Sequence, residues 1–118
     1  MFGLQAAVNI FFQEQANDRL TLNALGGDDV VDATSLEADG VQLTMNGGVG
    51  ADLILGSEGN DLVNGGDGDD VALLAAGDDT FAWNPGDDND TLEGQNGFDK
   101  MLFNGANVAE NIDVSANG

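Results

Sequence analysis

From Gly47 to Leu102 the chain repeats a nine-residue unit: GGVGADLIL, GSEGNDLVN, GGDGDDVAL, LAAGDDTFA and, after the two-residue insert Trp83-Asn84, PGDDNDTLE and GQNGFDKML. Aspartate fills the sixth place of every unit, as Asp52, Asp61, Asp70, Asp79, Asp90 and Asp99. Two places later stands an apolar residue each time: Ile54, Val63, Ala72, Phe81, Leu92 and Met101. So short a unit cannot enclose a core of its own, so the core must come from neighbours stacked on it. Glycine at places one, two and four suits a tight turn with positive φ, and the last three places suit a short strand with one inward side chain. Two units then close one coil, with turns on opposite edges and two parallel sheets facing each other. Asp52, Asp70 and Asp90 fall on one edge, and Asp61, Asp79 and Asp99 on the other. The expected fold is all-β, a right-handed parallel β-roll.

Stacked strands lie about 4.8 Å apart, and two carboxylates at that spacing repel by roughly 3.5 kcal/mol at an effective dielectric of about 20. The chain has 22 acidic and 2 basic residues, a net charge of -20. Arg19 and Lys100 do not recur with the repeat, so the balancing charge must come from outside. Calcium suits this demand, because it takes about six to eight oxygen ligands and glycine-rich turns expose carbonyls beside each carboxylate. With neither cysteine nor histidine in the chain, zinc and copper lack nitrogen and sulfur ligands. Nucleic acid and anionic membrane surfaces are repelled, and no run is long and apolar enough for a membrane-spanning helix.

The pattern G-G-x-G-x-D-x-U-x over residues 47–102 resembles the RTX calcium-binding repeat family. In that family an ion is clasped between turns one coil apart. Carbonyls at places two and four and the Asp of one turn meet carbonyls at places one and three and the Asp of the next. The resemblance implies a site from Gly48, Gly50 and Asp52 with Gly65, Asp67 and Asp70. A second would use Ser57, Gly59 and Asp61 with Leu74, Ala76 and Asp79. A third would join Gly66, Gly68 and Asp70 to Pro85, Asp87 and Asp90, and a fourth Ala75, Gly77 and Asp79 to Gly94, Asn96 and Asp99. Ser57, Leu74-Ala75, Pro85 and Asp88 stand at glycine places, where a side chain at positive φ costs energy. The resemblance also implies a secreted bacterial protein, in keeping with extracellular calcium modules that bind at about 10⁻⁴–10⁻³ M.

The chain reads as one domain over residues 1–118, with degenerate coils and a capping strand in 1–46, regular repeats in 47–102 and a last coil or tail in 103–118. ALGGDDVVD places Asp29 at the sixth place with Val31 inward, and NDRLT puts Asp18 and Leu20 in the same roles. Residues 33–46 are expected to form an extra half-coil with its strand at 41–45 and Asp39 as a weaker ligand candidate. Further strands are expected within residues 1–13 and around 111–115. Asp28, Asp69 and Asp78, at place five, are expected to face solvent, and Trp83 to pack over the insert.

Solvated Asp-Gly turns in a low-complexity chain would not couple Asp and apolar places over six units. An EF-hand loop beginning at Asp67 fails, because Ala72 replaces the required glycine and Asp78 the bidentate glutamate. No nucleophile constellation is evident, so a binding module rather than an enzyme is expected. Two alternatives accompany the calcium module. One is a self-assembling filament, sheath or surface-layer subunit, motivated by unblunted ends and an outward Leu53, Leu55, Val71, Leu73 stripe. The other is a folding or secretion appendix of a longer secreted enzyme or toxin.

Overall fold

A computed structural model describes residues 18–109, and among them every regular element is a parallel β-strand. One sheet holds β1 (Arg19–Asn23), β3 (Gln42–Val49), β5 (Asp61–Asp67), β7 (Thr80–Trp83) and β9 (Lys100–Phe103), in that order. The other holds β2 (Val30–Asp32), β4 (Leu53–Leu55), β6 (Val71–Leu73) and β8 (Thr91–Glu93). The chain changes sheet after every strand, so each in-sheet neighbour is a full coil away. Leu53 pairs with Val71 in the regular part, Val71 with Thr91 across the insert, and Val30 with Leu53 in the longer first coil.

The inward places build the core. Ile54, Val63 and Ala72 are fully buried and Phe81 nearly so, packed with Leu43, Met45 and Leu74. Both sheets supply these residues, which is why neither is stable alone. Residues 42–45 of the strand expected at 41–45 form the first part of β3, whose Leu43 and Met45 face inward. β3 and β5 run further than three places, through their glycines to Val49 and Asp67. Met101 departs from its expected inward burial: it is 53% exposed, on the strand that closes its sheet among the described residues. We expect Phe81→Ala to remove roughly 3–5 kcal/mol from the calcium-loaded chain, measured by urea unfolding, because the aromatic ring leaves a cavity bounded by rigid coils.

The first coil corrects one expectation. Leu43 pairs with both Leu20 and Asp61, while Met45 pairs with Leu22 and Val63. Leu22 therefore occupies the inward eighth place, and Asp18 lies two residues short of the sixth. Leu20 and Leu22 are both half-buried in an alternating strand, so a period of two allowed either register. The outer stripe is also less open than expected. Leu53, Leu55 and Leu73 are half-buried and Val71 is 37% exposed, while Val30, in the column of Leu53 and Val71, is 68% exposed.

The insert is absorbed without interrupting the stack. Trp83 pairs with Phe103, their rings lie flat at 4.4 Å between centroids, and the Trp83 Nε1–H donates to the Asp88 carbonyl at 3.3 Å. Asn84 joins a column of stacked amides. Its Nδ2 donates to Asn64 Oδ1 at 3.4 Å, and its own Oδ1 accepts from Asn104 Nδ2 at 2.9 Å. Asn46 donates to Asn23 in the same way at 2.8 Å. The strands expected within residues 1–13 and around 111–115 lie outside the described residues.

Candidate metal centres

The turns inherit their shape from left-handed backbone at places two and four. Gly48 and Gly50, Gly66 and Gly68, Ala75 and Gly77, Gly86 and Asp88, and Gln95 and Gly97 all have positive φ there, as do Leu25 and Gly27 in the first coil. Ala75 and Asp88 thus adopt the glycine conformation despite its cost for a side chain. A Cβ on Gly66 or Gly68 would strike the carbonyl oxygens of Gly48 and Gly50. Carbonyls at places two and four therefore point along the stack at the following turn. The turns are also tied by backbone bonds, with Gly50 N–H donating to Asp67 O at 2.8 Å and Gly77 N–H to Asn96 O at 3.0 Å.

Two ladders of aspartates run beside these turns. Asp52 Oδ1 accepts the Asp29 N–H at 2.9 Å, Asp70 that of Asp52 at 2.8 Å, and Asp90 that of Asp70 at 3.0 Å. On the other edge Asp79 accepts the Asp61 N–H at 2.8 Å and Asp99 that of Asp79 at 3.3 Å. One oxygen of each acceptor carboxylate is thus committed to the preceding coil. The Oδ2 atoms of Asp29, Asp52, Asp70, Asp79 and Asp90 are buried without a hydrogen-bond partner. All five belong to the ladders, and an ionised carboxylate oxygen in that position is strongly unfavourable unless a cation meets it.

Electrostatics point the same way. Burial raises the Asp79 and Asp90 carboxyls to about 6, against the pull of the N–H bonds from Asp61 and Asp70 and with neighbouring carboxylates adding to the rise. Asp70 is raised for the same first reason, burial, with Asp52, Asp87 and Asp69 adding their charge. Burial raises Asp61 as well, although bonds from Ser57 oppose it.

The donor set fits calcium. One edge offers four buried carboxylate oxygens without donors, on Asp29, Asp52, Asp70 and Asp90, and the other offers that of Asp79; with carbonyls directed along the stack on both, this is an all-oxygen set of the kind a hard cation takes. Among the described residues no three acids converge. An ion in these turns must therefore draw most of its ligands from the backbone, which the repeated glycines allow.

The sequence-derived sites are assembled to different degrees. Gly48 pairs with Gly66 and Val49 with Asp67, bringing the first site's turns together beneath Asp52 and Asp70. At the third, Asp70 and Asp90 meet, Pro85 is exposed, and the buried Asp87 side chain accepts the Asn84 N–H at 2.6 Å. At the fourth, Ala76 bridges to Asn96, and a Cβ on Gly94 would strike Asp99 Oδ2. Asp29 takes its expected place on a ladder, whereas Asp18 lies outside it. In the second site, Leu74 and Ala76 stack beside the turn of Ser57 and Gly59, but both oxygens of Asp61 are bonded to Ser57.

Place five carries a role that the sequence reading missed. Asp28 Oδ1 accepts the Ala51 N–H at 3.0 Å, Asp69 that of Asn89 at 3.2 Å, Asp78 that of Phe98 at 2.9 Å, and Asn60 that of Asp78 at 2.8 Å. These side chains reach forward to the next coil, whereas the place-six aspartates reach back. Asn60 among the acids was the available signal, because the shared property is an Asx acceptor and not a charge. We expect Asp69→Asn to leave thermal stability in calcium unchanged, and Asp69→Ala to lower it by about 0.5–1 kcal/mol.

Residues 46–81 and 85–101 match the family model of the RTX calcium-binding nonapeptide repeat, in 4 copies. The break between the two matched stretches coincides with the insert at Trp83 and Asn84. Comparison with curated proteins and with solved structures gave no match.

Proposed function

We propose that this chain, whose residues 46–81 and 85–101 match the RTX calcium-binding repeat, is a calcium-binding module that works outside the cell as a structural unit and folds when calcium binds. The observation that carries this reading is the set of five buried, unpartnered Oδ2 atoms on Asp29, Asp52, Asp70, Asp79 and Asp90. Calcium would supply the positive charge that these oxygens lack. The residues to hold it are Asp29, Asp52, Asp70, Asp79, Asp90 and Asp99, with carbonyls of Gly48 and Gly50 facing the turn of Gly65, Asp67 and Asp70, those of Gly66 and Gly68 facing Pro85 and Asp87, and those of Ala75 and Gly77 facing Gly94 and Asn96. The place-five side chains keep successive turns in register while the ligands are drawn together. The function is binding and architecture, without catalysis.

Equilibrium dialysis of the whole chain tests this reading. Several calcium ions per chain should bind cooperatively, with a midpoint of about 10⁻⁴–10⁻³ M as in extracellular modules, and magnesium should not replace them. Failure to bind calcium at well above that range would overturn it.

A second reading, head-to-tail self-association, draws on the last described coil. There Phe98 is 81% exposed, Met101 53% and Leu102 41%, on or beside the strand that closes its sheet among the described residues. Such an end would continue the parallel ladder into another copy and give a filament where the contact does not close. Sedimentation in millimolar calcium separates the readings: growth of the particle with concentration favours the filament, and a monomer at every concentration excludes it.

A further inference from the structure

The turn of residues 56–60 departs from the other turns in its backbone and in the partners of its aspartate, although its Gly59 carbonyl meets Gly77 as that of Gly50 meets Gly68. Ser57 and Gly59 occupy places two and four, yet neither has the positive φ found at those places in every other repeat turn. Ser57 is 1% exposed. Its N–H donates to Asp61 Oδ2 at 2.7 Å, and its hydroxyl donates to Asp61 Oδ1 at 2.8 Å. The same hydroxyl oxygen accepts the Gly59 N–H at 3.1 Å. Asp61 is accordingly absent from the group of ladder aspartates with an unpartnered buried oxygen.

The place of this turn in the stack gives the physical reason. The ladder on this edge begins here, because the residue paired with Asp61 in the preceding coil is Leu43. Asp61, like Asp29 at the head of the other ladder, has no aspartate one coil earlier to donate to it, but where Asp29 keeps an unpartnered Oδ2, Asp61 is bonded at both oxygens by Ser57. The turn rests instead on the loop before β3, with Glu58 N–H donating to Leu36 O at 3.0 Å. A carboxylate at the head of the ladder, buried at 4% exposure, needs donors from its own turn, and Ser57 provides two.

We propose that Ser57 is a built-in cap of this ladder: its amide and hydroxyl take, on Asp61, the role that a cation takes on the other buried aspartates. The turn of residues 56–60 then closes without calcium, and Asp61 does not ligate an ion toward Leu74, Ala76 and Asp79. The chain binds fewer ions than its repeats imply. The inference rests on the calcium reading of the remaining turns and concerns the one turn whose residues do not fit that role.

Counting ions per chain by native mass spectrometry at saturating calcium tests it. Asp61→Asn should keep the wild-type count, Asp79→Asn should lower it, and Ser57→Gly should gain an ion by restoring the glycine turn and freeing Asp61. Loss of an ion in Asp61→Asn would overturn the cap. If Ser57→Gly does not fold, the Asp61→Asn count decides alone. A wild-type chain that binds no ion would overturn the calcium reading instead. The cap is then judged by exchange of the Ser57 amide, which must be slower in the wild type than in Asp61→Ala and equal in the two if no cap exists.

Discussion

Chelating calcium at pH 7.5 is expected to abolish most of the β-sheet circular dichroism of the chain, and millimolar calcium to restore it. The ladders stack carboxylates along both edges of a chain whose net charge is -20, and five of their oxygens are buried without a donor. A ligand that binds the folded state and not the unfolded one stabilises it by mass action, so folding and loading become one transition. Acid should partly replace the metal. The Asp79 and Asp90 carboxyls stand at about 6 in the fold against an ordinary 3.8. A raised folded pKa favours folding fully below the unfolded value, and this contribution disappears as pH rises through about 6. The calcium-free chain should therefore hold more structure at pH 5 than at pH 7.5. Calcium binding should release protons, and more calcium should be needed as pH falls below about 6. Calcium-free β signal that is equal at pH 5 and pH 7.5 would contradict the linkage.

Replacing Asp70 should weaken calcium-coupled folding strongly. Asp70 Oδ1 takes the Asp52 N–H, its own N–H reaches Asp90, and its Oδ2 is buried and unpartnered, so it stands between two stacked pairs of turns. Asp70→Asn keeps the size and the Oδ1 acceptor but removes the charge. We expect the calcium concentration for half-folding to rise at least about tenfold, equivalent to about 1.4 kcal/mol for each ion taken up on folding, with a lower ion count. Asp69→Asn, one residue away, should leave both unchanged, because Asn60 already performs the place-five role in another turn. Calorimetry of the two variants side by side would expose a phase error of one residue: equal effects would mean that the buried oxygens are not ligands.

Much of this fold was legible because two signals shared one phase. Aspartate at place six and an apolar residue at place eight fixed the strands, the inward faces and the division of aspartates between edges, and the paired registers of β4 with β6 and β5 with β7 follow them. Where one signal was missing, the reading slipped. Around Asp18 no glycine turn accompanies the acid, and the alternating Leu20 and Leu22 fit either register; packing of Leu22 in the column of Met45 and Val63 decided it. The place-five ladder was hidden because hydrogen bonding to a neighbouring coil and exposure to solvent ask for the same polar residues. Ser57 was recognised as a departure from glycine, but its consequence depends on a hydroxyl direction and on Leu43 standing before Asp61, and neither follows from the repeat alone. The outer stripe illustrates the converse: place seven and place nine point outward as expected, yet Leu53, Leu55 and Leu73 are half-buried.

The position of the ions themselves is the most direct test that the buried oxygens are calcium ligands. Anomalous scattering from a crystal of the calcium-loaded chain should give peaks between successive turns, within about 2.3–2.6 Å of Oδ2 of Asp52, Asp70, Asp79 and Asp90. No peak should lie against Asp69 or Asp78. Ladder carboxylates that meet only water or each other at saturating calcium, with any peaks confined to exposed acids, would contradict it.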